Sequence, residues 1–175
     1  MKLRILFLAL FLGACMKSEK QNSPKNYFDI PSLIDQQIAY LSSQKPVFLK
    51  KASFSQESSQ QESSQIDWQK EFKAFKDCDL NLPVLKDSYQ VSENDTANMY
   101  QTQDPKATVK SLVVKGKNQP EAIYLHWVSE NAFYKTEKWL SMHFKDQKVV
   151  RYEVKGYQKL IFKDSLLFQI QAVAK

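Results

Sequence analysis

Glu121-Ala-Ile-Tyr-Leu-His-Trp-Val-Ser129, followed three residues later by Phe133-Tyr-Lys-Thr-Glu-Lys-Trp-Leu-Ser-Met-His-Phe144, decides the fold. Successive side chains of a strand point to opposite faces, so strict alternation marks a half-buried strand. In the first run Ile123, Leu125 and Trp127 share one face. Tyr124, His126 and Val128 share the other, which leaves open a strand covered on both sides. In the second, Tyr134, Leu140, Met142 and Phe144 oppose Lys135, Glu137, Trp139 and His143. Similar runs are expected at Ser88–Glu93, Asn98–Gln103, Thr108–Lys115, Val149–Gln158 and Leu166–Val173. In the last, Leu166, Phe168, Ile170 and Ala172 oppose Leu167, Gln169, Gln171 and Val173. The links Asn94-Asp95, Asp104-Pro105, Gly116–Pro120 and Lys145-Asp146-Gln147 are short and turn-like, so neighbouring strands should pair antiparallel. One sheet face is then strongly apolar and the other amphipathic, with lysines that keep it solvated and guard its edges.

Upstream the period changes. Ile30, Leu33, Ile34, Ile38 and Leu41 follow the helical repeat, with Asp29 as N-cap, Pro31 in the first turn and Pro46 forcing an end by Gln44. Val47–Phe54 is expected to be a strand. Ser55–Gln65 consists only of Ser, Gln and Glu and is expected to be a mobile loop or a long, weak hairpin tip. Asp67 caps a second helix, whose Trp68, Phe72 and Phe75 form one aromatic stripe expected to lie in the core. The fold class is therefore α+β: amphipathic N-terminal helices packed on a curved antiparallel meander of seven to eight strands.

Met1-Lys2-Leu3-Arg4, the apolar run Ile5–Leu12 and the small residues Gly13-Ala14 have the layout of a secretory signal peptide. The apolar run is far shorter than the ~20 residues a spanning helix needs. Leu12-Gly13-Ala14-Cys15 resembles the lipobox of bacterial lipoproteins. That resemblance implies cleavage before Cys15, acylation of its thiol and an anchor in a membrane of the cell envelope, the outer membrane being favoured. Two or more acyl chains make such an anchor stable. The expected organisation is a signal peptide at 1–14, a lipidated tether at 15–25 and one globular domain at 26–175. Loss of Lys2 and Arg4 takes the 25 basic residues to 23 against 19 acidic, a formal charge of +4. An excess so mild, on an exported chain, gives no support to a nucleic-acid partner.

The search for reactive chemistry is negative. With Cys15 acylated, only Cys78 remains, which excludes a disulfide framework within the chain and a Cys-rich zinc site. Asp77 and Asp79 flank Cys78 and disfavour its thiolate, so it is expected to be a half-buried thiol at a helix end and a poor nucleophile. The mature chain holds only Gly116 and Gly156, too few and too far apart for a phosphate-cradling loop. A Gly-x-Ser-x-Gly elbow and a His-Glu-x-x-His pair are also absent from the sequence. His126 and His143 could meet on adjacent strands with Glu130 or Glu137, but structural histidines are the favoured reading. The expectation is therefore a protein that is not an enzyme, with no metal and no cofactor.

Asn26-Tyr-Phe-Asp29, Ile66–Glu71, Lys86-Asp-Ser-Tyr89, Tyr100–Pro105 and Val109-Lys110 resemble an uncharacterised lipoprotein group of Bacteroidetes. The resemblance covers most of residues 26–173 and implies an envelope lipoprotein, without transferring any functional residue. Where those chains have a compact hairpin, this one has the Ser/Gln-rich tract.

The favoured function is a membrane-anchored, non-enzymatic binding or interaction module of the envelope, meeting a protein partner or an apolar ligand. An interaction module predicts a filled core and an exposed apolar patch around Trp139 and Tyr157. The alternative is a carrier holding a lipid or other apolar ligand between the Ile30–Leu41 helix and the sheet, with Leu33, Ile38 and Trp139 as candidate contacts. It needs an internal cavity of a few hundred Å³. A hydrolase acting on envelope material is a distant third.

Overall fold

A computed structural model describes residues 26–175; Cys15, the lipobox and the tether lie outside the described residues. Nine strands form one open antiparallel sheet: β1 (Phe48–Phe54), β2 (Glu57–Ser63), β3 (Gln90–Glu93), β4 (Ala97–Gln101), β5 (Val109–Lys115), β6 (Ala122–Glu130), β7 (Tyr134–Lys145), β8 (Lys148–Leu160) and β9 (Leu166–Ala174). Their order across the sheet is β2-β1-β9-β8-β7-β6-β5-β4-β3. The meander β3 to β9 thus follows chain order, and the first strand of the chain returns to pair with the last. Asp146 and Gln147, with φ of 51° and 64°, make the tight turn between the long strands β7 and β8.

Helix α1 (Ile30–Gln44) begins where expected, with Asp29 Oδ1 accepting from the Ser32 N–H at 3.3 Å. It ends on Lys45 in the left-handed conformation, whose N–H is bonded to the Leu41 carbonyl. The second helix starts on its Asp67 cap but breaks at Phe72 into two four-residue turns, α2 (Trp68–Glu71) and α3 (Lys73–Lys76). The break does not move the aromatic stripe out of the core. Trp68, Phe72 and Phe75 all pack around the ring of Tyr152 on β8, with centroids 6.4, 5.1 and 6.5 Å away.

Ile123, Leu125, Leu140, Met142, Tyr152, Val154 and Ala172 line the sheet face that joins this cluster, together with Ile30, Ile34, Ile38 and Leu41 of α1. Two polar groups inside it are satisfied, as burial demands. Tyr152 donates to Glu71 Oε1 at 2.7 Å, and Lys50 holds Glu71 Oε2 at 2.5 Å. Burial first, and then the Glu71 carboxylate, push the phenol pKa up, so Tyr152 stays a donor. Gln37 of α1 donates to the Gln147 carbonyl (3.0 Å) and accepts from the Val149 N–H (2.9 Å), tying the helix to the β7–β8 turn.

Three expectations change. Of the two readings of Ser55–Gln65, the hairpin holds and the mobile loop does not: residues 57–63 are a strand in seven-residue register with β1, which offers an open backbone edge that any sequence without Pro can pair with. The sheet accordingly has nine strands instead of seven to eight. The helices are only partly N-terminal to it, since β1 and β2 intervene between α1 and α2. The face opposite the helices keeps Tyr124, His126, Trp139 and Lys155 half-buried or exposed, so β6 is covered on one side alone.

Candidate binding trough on the open sheet face

Pairing registers align a row of side chains across the helix-free face: His126 on β6, Trp139 on β7, Lys155 on β8, Gln169 on β9, Ser53 on β1 and Ser58 on β2. The His126 ring lies nearly parallel to the Trp139 indole, with centroids 5.4 Å apart and planes at 7°. The next row carries Val128, Glu137, Tyr157 and Leu167. Glu137 ties the two rows together. Its Oε1 lies 2.7 Å from His126 Nε2, and its Oε2 accepts from the Tyr157 hydroxyl at 2.6 Å. One carboxylate thereby fixes the two rings that flank Trp139, whose own side chain is 40 % exposed.

The Tyr157 hydrogen bond holds the Glu137 carboxyl below the usual carboxylate range; desolvation opposes this and His126 assists it. In turn, the same bond raises the Tyr157 phenol. A carboxylate with a depressed folded pKa contributes stability above its ordinary value of 4.5, and that contribution is lost as the pH falls through the depressed value. The difference in melting temperature between the native chain and Glu137→Gln should therefore be widest at neutral pH and close below about pH 4. A constant gap from pH 7 to 3 would remove the carboxylate from this role.

Two open clefts adjoin Trp139. One, of about 340 Å³, is lined by Ser111, Tyr124, His126, Ser141, Glu153 and Lys155 among others. The other, of about 370 Å³, is lined by Ser53, Lys155, Tyr157, Leu167 and Gln169. A further cleft of about 410 Å³ shares Ser53 and Gln169 with it and continues over Lys51, Ser58, Gln60 and Gln171. The result is a trough crossing seven strands, β5 to β9 with β1 and β2, in which hydroxyl, amide and charged groups alternate with apolar side chains such as Val113 and Leu167 and aromatic rings stand at the middle.

Of the residues singled out in the sequence, the structure places Trp139 in this trough. Ile38 is 4 % exposed inside the core, and Leu33 is half-buried against that core. The sheet lies between them and Trp139, and no α1 residue lines the three clefts, so these positions do not form one site. His126 pairs across with Trp139, whereas His143 pairs with Ala122, four residues along β7 or ~13 Å. Among the described residues no cluster of three metal-ligating side chains occurs. Cys78 is fully buried, where half-burial was expected; its thiol donates to the Ala74 carbonyl at 3.2 Å. Desolvation pushes its pKa up to about 12, with Asp77 the smaller cause. The sequence sets Glu137 near His126 only as a metal ligand; that it joins His126 to Tyr157, and that Gln169 and Ser53 lie in the row of Trp139, follow from the strand pairing. No helix among the described residues is long and apolar enough to cross a membrane.

No family model, curated protein or solved structure matches the chain.

Proposed function

We propose that the chain is a bacterial envelope lipoprotein, anchored in a membrane through acylated Cys15, and that it is a non-enzymatic binding module whose ligand lies along the trough around Trp139. The observation that carries the reading is the exposed indole of Trp139, held by His126 and Tyr157 through Glu137 in a trough where serine and tyrosine hydroxyls, Gln169, Glu153 and Lys155 mix with apolar side chains. Such a lining matches a polyhydroxylated ligand: aromatic rings pack against the C–H surfaces of a sugar while Gln, Ser, Glu and Lys satisfy its hydroxyls. An envelope glycan is the ligand class this favours. Both Glu137 oxygens are engaged and Cys78 is buried, which supports binding over catalysis.

The test begins with the intact mass of the exported chain, which reports acylation of Cys15 and its loss in Cys15→Ser. Soluble peptidoglycan fragments and delipidated lipopolysaccharide are then titrated by calorimetry, which reads binding equally in the native chain and in variants that lack Trp139. A fluorescence change on binding should come from Trp139, since Trp68 is buried in the core and Trp127 packs against that core on the other sheet face; it should be absent from Trp139→Phe. Trp139→Ala should weaken binding at least about tenfold with little change in melting temperature, and Trp139→Phe should retain most of it. Saturable binding that is indifferent to Trp139→Ala, or no binding by either glycan, would overturn the trough as a glycan site.

A further inference from the structure

At one end of the sheet the turns between β6 and β7 and between β8 and β9 meet, the Ile161 N–H donating to the Phe133 carbonyl at 2.9 Å. Their side chains do not turn inward. Phe133 is 70 %, Ile161 51 % and Phe162 98 % exposed. Leu160 and Leu167 stand exposed beside them, and Phe54 joins the same end through a hydrogen bond from Ser55 N–H to the Leu167 carbonyl.

Phe162 is the most informative of these residues. Its φ of 64° lies in the left-handed region, where a bulky side chain is disfavoured and Gly or Asn would sit more easily. Burial within the fold does not offset that strain, because the ring is almost wholly in solvent. The turn sets that φ, being closed by the Lys163 N–H on the Leu160 carbonyl at 3.2 Å, yet a bulky ring stands at the position and packs on nothing within the fold. Lys159 and Lys163 bracket Leu160-Ile161-Phe162, are exposed, and form no ion pair among the described residues.

We propose that this end of the sheet is a membrane-docking tip: Phe162, with Ile161 and Phe133, enters an anionic lipid surface while Lys159 and Lys163 meet the lipid phosphates. Asp164 follows Lys163 and is exposed, so the tip carries two cations against one anion; an apolar tip with a net positive rim complements the boundary between acyl chains and anionic headgroups. The proposal rests on the anchored reading for one thing, the nearness of the membrane. Residues 15–25 span up to about 36 Å when extended, enough for the folded domain to reach back to the bilayer that holds Cys15.

The test uses the mature chain from residue 15 with Cys15→Ser, so that no acyl chain contributes. It is cosedimented with vesicles of phosphatidylethanolamine and phosphatidylglycerol, and with vesicles of phosphatidylcholine alone. Binding should be selective for the anionic vesicles and weaken with salt. Phe162→Asn should bind at least about tenfold more weakly while its melting temperature stays level or rises, which a merely structural role would not produce. Lys159→Gln with Lys163→Gln should lose about tenfold or more on anionic vesicles. Absence of binding to anionic vesicles, or equal binding by Phe162→Asn, would overturn the proposal. So would self-association that depends on Phe162 without any vesicle binding, since that would make the tip a protein interface. Failure of the anchored reading would show separately, as an exported chain without acyl mass.

Discussion

Gly156→Ala should destabilise the protein by about 3 kcal/mol, at the upper end of the range for overpacking. A Cβ at this position would lie 2.1 Å from the Glu137 carbonyl oxygen and 3.1 Å from Lys138 Cα, both backbone atoms of β7 that no rotamer change can move aside. Glycine thus permits the close crossing of β7 and β8 at the rows where Glu137 reaches Tyr157. Urea unfolding of the variant should show a lower midpoint with an unchanged slope, or the chain should be recovered only as aggregate. The same substitution should weaken binding in the trough, because it displaces the strand that presents Trp139. A midpoint equal to that of the native chain would mean that the two strands separate there at no cost.

Phe72→Ala should cost more, about 3–5 kcal/mol, out of the ~5–15 kcal/mol that holds a domain of this kind together. Phe72 has no exposed surface, and its ring contacts Trp68, Phe75 and Tyr152 with centroids 5.2, 6.0 and 5.1 Å away. Truncation would leave a hole among three rings that are fixed from both sides: α2–α3 below and the Glu71–Tyr152 hydrogen bond above. The effect is to be read in urea unfolding monitored by circular dichroism and by the summed fluorescence of Trp68, Trp127 and Trp139. A loss under 1 kcal/mol would show that α2–α3 can collapse onto the sheet.

Periodicity is enough to place α1, β1 and β4 to β9 because each of them buries one face on a single core; β2 buries almost nothing and carries no such signal. The Asp29 and Asp67 caps, Pro31 and Pro46 also did locally what their chemistry dictates. The trough was only half legible, for a reason visible in β7 and β8. Counting back from the Asp146-Gln147 turn pairs Lys145 with Lys148 and Phe144 with Val149, which would set Trp139 opposite Val154, a core residue. An irregularity between His143 and Phe144 shifts the register by one, so that Trp139 faces Lys155 instead. No residue in this stretch announces that shift. The return of β1 to pair with β9 was equally hidden, since Phe48 and Ala174 come together only through the complete fold. Without it, Ser53 and Gln169 had no reason to be considered beside Trp139. Alternation gives the face of a residue, and long-range pairing gives its neighbours.

The outermost strand carries a different kind of record. Gln56-Glu-Ser-Ser-Gln60 and Gln61-Glu-Ser-Ser-Gln65 are the same five letters written twice. Five is odd, so along a strand the second copy turns every side chain to the side opposite its counterpart: Glu57 falls opposite Phe54 on the core side, Glu62 opposite Leu49 on the other. A core-lining strand could not survive such a duplication, because inside and outside would be exchanged partway along it. β2 tolerates it because its hold on the sheet is backbone alone, with Glu62 and Lys175 adding one ion pair at the margin. Copying errors can therefore lengthen, shorten or reword this border without the interior registering the change.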